Sequence, residues 1–227
     1  MKASCGSARR ARPLLGTLVE IRVPASGAAQ RAMEHAFAAV GRVHRAMSAQ
    51  ESTSDIARLR AGRRFALDPW TRRVLERAEE LRLATDGLFD CAACDYALDG
   101  IAKGFAVDQA VAALQQAGVR AGVVNAGGDL RVFGEAFEDV CVRLPQYPDR
   151  LVYIGRVRDA AVATSAANLL VDPRSGRRSP RAAGATVIAA DCMTADALTK
   201  PCLLEPEHAQ PLAARFCSHA LVVDAHG

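Results

Sequence analysis

The chain has 227 residues, of which 50% are hydrophobic and 24% charged; this excludes a disordered or collagen-like protein and is long enough to bury a core. Its net charge of +4 is compatible with an anionic ligand but too weak to indicate nucleic-acid binding. No apolar run approaches the ~18 residues of a membrane-spanning helix, and no integral membrane segment is expected. Met1–Gly6 lacks the apolar core of a secretory signal, and Cys5 lacks the hydrophobic segment that precedes a lipoprotein attachment cysteine. With no linker or internal repeat, residues 1–227 are expected to form a single domain.

Two residue counts add detail. Only three of the 29 basic residues are lysines, namely Lys2, Lys103 and Lys200. The seven cysteines are odd in number and irregularly spaced, unlike a secreted disulfide framework. Cys91-Ala92-Ala93-Cys94 is the one CxxC, and redox or metal use would need a helix N-terminus or a second ligand pair that is not evident nearby. Reduced thiols point to a cytoplasmic setting, with a periplasmic or membrane-anchored one as the alternative if an export signal has been trimmed.

In chain order, Leu14–Val23 is rich in β-formers and is predicted to be a strand stopped by Pro24. Between Ala28 and Met47, Ala32, Met33, Ala36, Phe37, Val40, Val43 and Met47 recur at helical spacing. Ser52–Leu59 predicts a short helical turn. Asp68-Pro69 is a helix start, with a capping aspartate before a proline, and Trp70, Val74, Ala78 and Leu81 form the apolar face. A third helix is predicted from about Asp99-Gly100, with Val107, Val111 and Leu114 inward and Gly118 as the C-terminal cap. Ala121–Val124, Leu130–Phe133, Val140–Leu144, Leu151–Val157 and Ala185–Ala190 are strand-like. A helix from Thr194 or Ala195 is predicted to break at Pro201, Glu207–Phe216 to be helical, and Ala220–Val223 to close as a strand. The irregular alternation implies a mixed α/β (α+β) fold, with mixed sheets flanked by helices.

Polar residues with chemical potential concentrate in four segments. Asp99-Gly100-Ile101-Ala102-Lys103-Gly104 places a lysine between glycines at a helix start, which suits either phosphate or a plain helix capped by Asp99. Asn125-Ala126-Gly127-Gly128-Asp129 lies between two strands, as a hairpin turn or as a close approach of backbone to a ligand. Asp191-Cys192-Met193-Thr194-Ala195-Asp196-Ala197-Leu198-Thr199-Lys200 gathers hydroxyls and carboxylates of the kind that hold Mg²⁺, or else it is a capped helix start. Asp172-Pro173-Arg174-Ser175-Gly176 has the signature of a turn.

In this order, and together with Leu15-Gly16-Thr17, Ser54-Asp55-Ile56 and Asp86-Gly87-Leu88-Phe89-Asp90, these segments resemble the FAD:protein FMN transferase family (ApbE-type flavin transferases). The resemblance implies an ApbE-like fold and an enzyme that uses FAD and Mg²⁺. Such an enzyme transfers FMN to a threonine hydroxyl of an acceptor flavoprotein and releases AMP. It further implies that Asp196, the Ala102 carbonyl and Thr199 hold the metal, and that Thr17, Asp99, Lys103, Asn125, Gly127, Gly128 and Asp129 bind FAD. Lys103 and Asp172 would then stand at the reacting centre.

The pattern also departs from the family. Arg60 replaces an asparagine. Leu169 occupies the position of a histidine and cannot accept a proton, which leaves Asp172 as a candidate base. Lys200 stands where the metal-binding threonine is expected, with Thr199 one residue early. There, either the ammonium substitutes for part of the metal's charge or Thr199 reaches the ion by a local shift. The stretches Phe89–Asp99 and Ser165–Asp172 are short for the family. The alternatives to transfer are a module that binds FAD without transferring it and a metal-dependent hydrolase giving FMN and AMP.

Overall fold

The computed structural model describes residues 6–144, 147–166, 170–178 and 184–223. Its first elements correct the predicted strand over 14–23. β1 (Ser7–Leu14) and β2 (Thr17–Pro24) form an antiparallel hairpin that turns at Leu15 and Gly16, with φ of 56° and 70°. β1 is hard to recognise because three of its eight residues are arginines and its one large apolar residue is Leu14. Arg9 pairs with Glu20, and Arg10 and Arg12 pair with Glu34; such charges suit the edge of a sheet.

Then follow α1 (Ala29–Met47), α2 (Asp55–Arg60) and α3 (Pro69–Ala84). In α1 every residue of the predicted apolar face is buried. Ser54 caps α2 by accepting the Ala57 N–H, and Asp68 caps α3 by accepting the Trp70 N–H at 2.8 Å. Gly41 lies inside α1, and an added Cβ there would meet only the end of the flexible Arg45 side chain, at 3.3 Å. Gly41→Ala is therefore expected to raise the unfolding free energy by about 0.5–1 kcal/mol, measurable by urea titration.

α4 (Ala102–Gln116) begins later than predicted. Asp99 is exposed and does not cap it; Ile101 holds the cap position and makes no side-chain cap bond. The remaining elements are β3 (Gly122–Ala126), β4 (Asp129–Phe133), β5 (Phe137–Leu144), β6 (Tyr147–Arg158), β7 (Ala161–Ala166), β8 (Gly184–Ala189), α5 (Cys192–Leu204), α6 (Ala209–Ala214) and β9 (His219–Val223). β7, made of Ala, Ser, Thr and a single Val, is a strand that the sequence reading missed. The helix predicted over 207–216 is a 3₁₀ turn, Pro206–His208, followed by the shorter α6. α5 runs on through Pro201 to Leu204, where a break was predicted. It is buried along almost its whole length, so packing on every side outweighs one missing backbone donor.

Among the described residues seven strands form one sheet in the order β1-β2-β3-β4-β7-β8-β9, with every pairing antiparallel, and β5 and β6 form a separate hairpin. The mixed α+β class is as expected. The middle of the sheet is covered on both faces. Val19, Ile21, Val124, Ala126, Ala161 and Ala163 point to one side and join the cores of the main helices. Val123, Leu130, Val132 and Val162 point to the other and meet Val140 and Val157 of the β5–β6 hairpin. Among the described residues no helix is long and apolar enough to cross a membrane.

Candidate functional site

α4 and α5 cross at very short range, and the residue at the crossing is Gly104. A Cβ at that position would lie 2.2 Å from the Cys192 carbonyl oxygen and 2.9 Å from Asp196 Cβ. The two helices cap each other there. Asp196, four residues into α5, accepts the Gly104 N–H of the first turn of α4 on Oδ2 at 3.0 Å. Asp108, on α4, accepts the Cys192 and Met193 N–H groups that open α5, at 3.0 and 2.9 Å. Each carboxylate thus sits at the positive end of the other helix. Burial pushes the Asp108 carboxyl above its usual range, partly offset by Arg131 at 2.7 Å and by the two amides. Asp108→Ala removes all three partners and is expected to cost about 2–3 kcal/mol in urea unfolding.

Around this crossing lies a quartet of charges. Lys200, one turn after Asp196, places Nζ 2.5 Å from Asp196 Oδ1 and 2.9 Å from the Asp196 carbonyl. Lys103 Nζ lies 2.8 Å from Asp129 Oδ2, an ion-pair contact in which that oxygen gains no well-angled hydrogen bond. The Asp196 and Asp129 side chains are both about 1% exposed. Burial, and after it the Asp196 charge, push the Asp129 carboxyl up to about 6, against the pull of Lys103 and Lys200. Burial disfavours the Lys103 ammonium, but the Asp129 and Asp196 carboxylates outweigh it, and its pKa lies above the ordinary lysine value. Lys103 is therefore a permanent cation rather than a base.

Asp129 is held in place by a turn. β3 and β4 are joined by Gly127 and Gly128, both at positive φ, and Asn125 Oδ1 accepts the Gly128 N–H at 2.9 Å. Asn125–Asp129 is thus a β-hairpin turn. Gly127 is also a close approach, since a Cβ there would lie 2.3 Å from Thr17 Oγ1. Thr17, far earlier in the chain, is brought in this way against the Asn125–Asp129 turn, whose Asn125, Gly127 and Gly128 line a separate cavity of about 490 Å³ toward β5.

Two cavities adjoin the quartet, and Asp99 lines both. The larger, of about 550 Å³, is mostly apolar, with Leu88, Phe89, Leu170 and Leu203 in its wall together with Lys200. The smaller, of about 230 Å³, is lined by Leu15, His44, Ala102 and Lys103 among others. Cys91 and Cys94 also border the larger cavity. Burial pushes the Cys91 thiol up to about 12 and raises that of Cys94, so neither is poised as a nucleophile.

Asp172 belongs to the turn predicted for it. Its backbone accepts the Gly176 N–H at 2.8 Å, and its carboxylate accepts the Arg174 N–H at 2.9 Å. Partial burial would raise this carboxyl, but Arg174 and Ser175 hold it below the usual range. A carboxylate so stabilised is a weak general base, which argues against that role for Asp172. Leu169 lies outside the described residues.

The three residues expected to hold Mg²⁺ do not form a fitting donor set. Both Asp196 oxygens are engaged, one by an ammonium at 2.5 Å, and a divalent ion on that carboxylate would have to displace Lys200. Thr199 is fully buried, its hydroxyl 2.7 Å from the Asp196 carbonyl and 2.8 Å from Ser165 Oγ. Ala102 is the first residue of α4. Among the described residues no three or more His, Cys, Asp or Glu side chains are grouped to hold a metal. Ser165, Asp108 and His44 were not singled out from the sequence. Only Asp108 carried a signal, as a carboxylate four residues from Gly104 on a helix buried among apolar neighbours.

Fold and site together define an α+β protein whose charged quartet, at a helix crossing, adjoins a mostly apolar cavity and a smaller, more polar one. The ApbE family model matches residues 15–97 and 93–222, and the chain belongs to the ApbE family. Solved structures share the fold. The ApbE protein of Thermotoga maritima is 22% identical, with a TM-score of 0.84 over 98% of this chain and 96% of that one. The flavin transferase ApbE of Vibrio cholerae is 18% identical, with a TM-score of 0.82 over 96% of this chain and 94% of that one. The apo form of the flavinyl transferase ApbE of Pseudomonas stutzeri is 19% identical, with a TM-score of 0.82 over 98% of this chain and 92% of that one. No curated protein matches the sequence.

Proposed function

We propose that this protein is a flavin transferase that binds FAD and passes its FMN half to a threonine hydroxyl of an acceptor flavoprotein. The observation that carries this reading is the pair of cavities meeting at Asp99, each with its own lysine. Such a site suits a ligand with a flat apolar end, a polar end and an anionic joint. In the reaction the threonine oxygen bonds to the FMN phosphorus, the bond to the bridging diphosphate oxygen breaks, and AMP leaves. The threonine proton ends on the AMP phosphate or in the medium.

Catalysis of this kind rests on alignment and on neutralising charge. Lys103 and Lys200 would offset the diphosphate and the charge that grows on departing AMP, and their pairing with Asp129 and Asp196 fixes them before the ligand arrives. The apolar wall around Leu88, Phe89 and Leu170 would exclude water from the flavin half.

The weak basicity of Asp172 favours a second reading, FAD binding without transfer. The test is to incubate the protein with FAD and an acceptor domain and to follow acceptor mass and nucleotides. A covalent flavin on the acceptor supports transfer. Free FMN and AMP without an acceptor would indicate hydrolysis, and stoichiometric FAD without turnover a binding module. Failure to bind FAD at all would sink every one of these.

A further inference from the structure

The family resemblance implies a divalent cation at Asp196, yet this chain places an ammonium there. Three observations show that the ammonium is built in. Lys200 lies four residues after Asp196 on the same helix, and its Nζ is held by two oxygens of that one residue, at 2.5 and 2.9 Å. Its stem crosses Gly100, where a Cβ would lie 2.9 Å from Lys200 Cε, so the glycine makes room for the lysine. The side chain is 19% exposed and lines the larger cavity, so the group is confined without being sealed off. An ammonium has three donors, and two contacts to Asp196 leave one for a ligand.

The charges agree with this arrangement. Asp129 and Asp196 balance Lys103 and Lys200, and the quartet is neutral without any ion. A diphosphate entering between the cavities would meet two fixed ammoniums. A divalent ion would first have to break a buried ion pair, whose disruption is costly.

We propose that Lys200 replaces the divalent cation at this site, so that the protein holds the diphosphate of a flavin dinucleotide with two lysines and no metal. This rests on the reading of the site as an FAD site. The test uses the whole wild-type protein, stripped of metal, with FAD binding followed by calorimetry in EDTA and again in excess Mg²⁺. Affinities in the two buffers are expected to agree within about threefold. Mn²⁺ added to the protein alone is expected to keep the paramagnetic spectrum of the free ion.

In Lys200→Thr, checked for folding by circular dichroism, FAD affinity in EDTA is expected to fall about tenfold or more, with part of the loss restored by Mg²⁺. If that variant does not fold, the wild-type comparison still decides. Wild-type FAD affinity that rises tenfold or more with Mg²⁺ would overturn the proposal and leave the FAD reading standing, as would stoichiometric Mn²⁺ binding lost in Asp196→Asn. Absence of FAD binding in both buffers would overturn the two together.

Discussion

Gly104→Ala is expected to destabilise the protein by roughly 3–5 kcal/mol, although alanine is the better helix former. The added methyl would sit 2.2 Å from the Cys192 carbonyl oxygen and 2.6 Å from its carbon. These are backbone atoms in the first turn of α5 and cannot swing aside. The helices must separate, which stretches the 3.0 Å bond from Gly104 N–H to Asp196 and unseats the pair that Asp196 makes with Lys200. Urea or thermal unfolding measures the loss. Gly41→Ala is the internal control, since the same chemical change at a site facing only a flexible arginine is expected to stabilise. A Gly104→Ala protein as stable as the wild type would show that the crossing is looser than described.

The second large effect is expected from Lys103→Met. FAD affinity should fall about tenfold to a hundredfold, the value of a hydrogen bond to a charged group. Stability should fall too, because Asp129 then keeps a buried charge with no counter-ion, at a cost of about 3–5 kcal/mol near neutral pH. The sign of the pH dependence follows from the direction of the shift. The Asp129 carboxyl is raised from 3.8 to about 6 in the folded protein. Its contribution to stability is therefore full below about 3.8 and is lost as pH rises through about 6. Without Lys103 the folded value moves higher still, so the variant should recover stability on acidification over a wider range than the wild type does. Urea midpoints between pH 5 and 8 check this. A pH-independent deficit would mean that Lys103 acts through packing alone.

Where local patterns are strong, the elements are legible in the residues. The α1 face shows the helical period because one side is buried and the other wet, and Asp68-Pro69 marks the start of α3 because capping is local chemistry. β1, β7 and the path of α5 are not legible, for different reasons. β1 is an edge strand dressed in arginines, whose partners on β2 and α1 supply what its propensity does not. β7 is built of small residues that fit under α5, so its strand character comes from its neighbours. α5 is buried on all sides, which removes the period that would have marked its length and lets Pro201 pass.

The family, the order of the motifs and the two noteworthy lysines were determined by the sequence itself, since each rests on residues close together in the chain. Lys200 lies one helical turn from Asp196, so that pair is local, but the tertiary structure alone decided what Lys103 does. Lys103 and Asp129 are 26 positions apart, and Lys103 and Asp196 are 93 apart, so no spacing rule relates them. The pairing of Lys103 with Asp129, and the nearness of the Asp196 charge, follow from the close helix crossing at Gly104 and from the turn that lifts Asp129 beside α4. The substitution at Lys200 was visible from the start. Its consequence, an ammonium seated on the carboxylate expected to hold a metal, needed the helix geometry, because a one-dimensional pattern gives charge and spacing but not which oxygen is already taken.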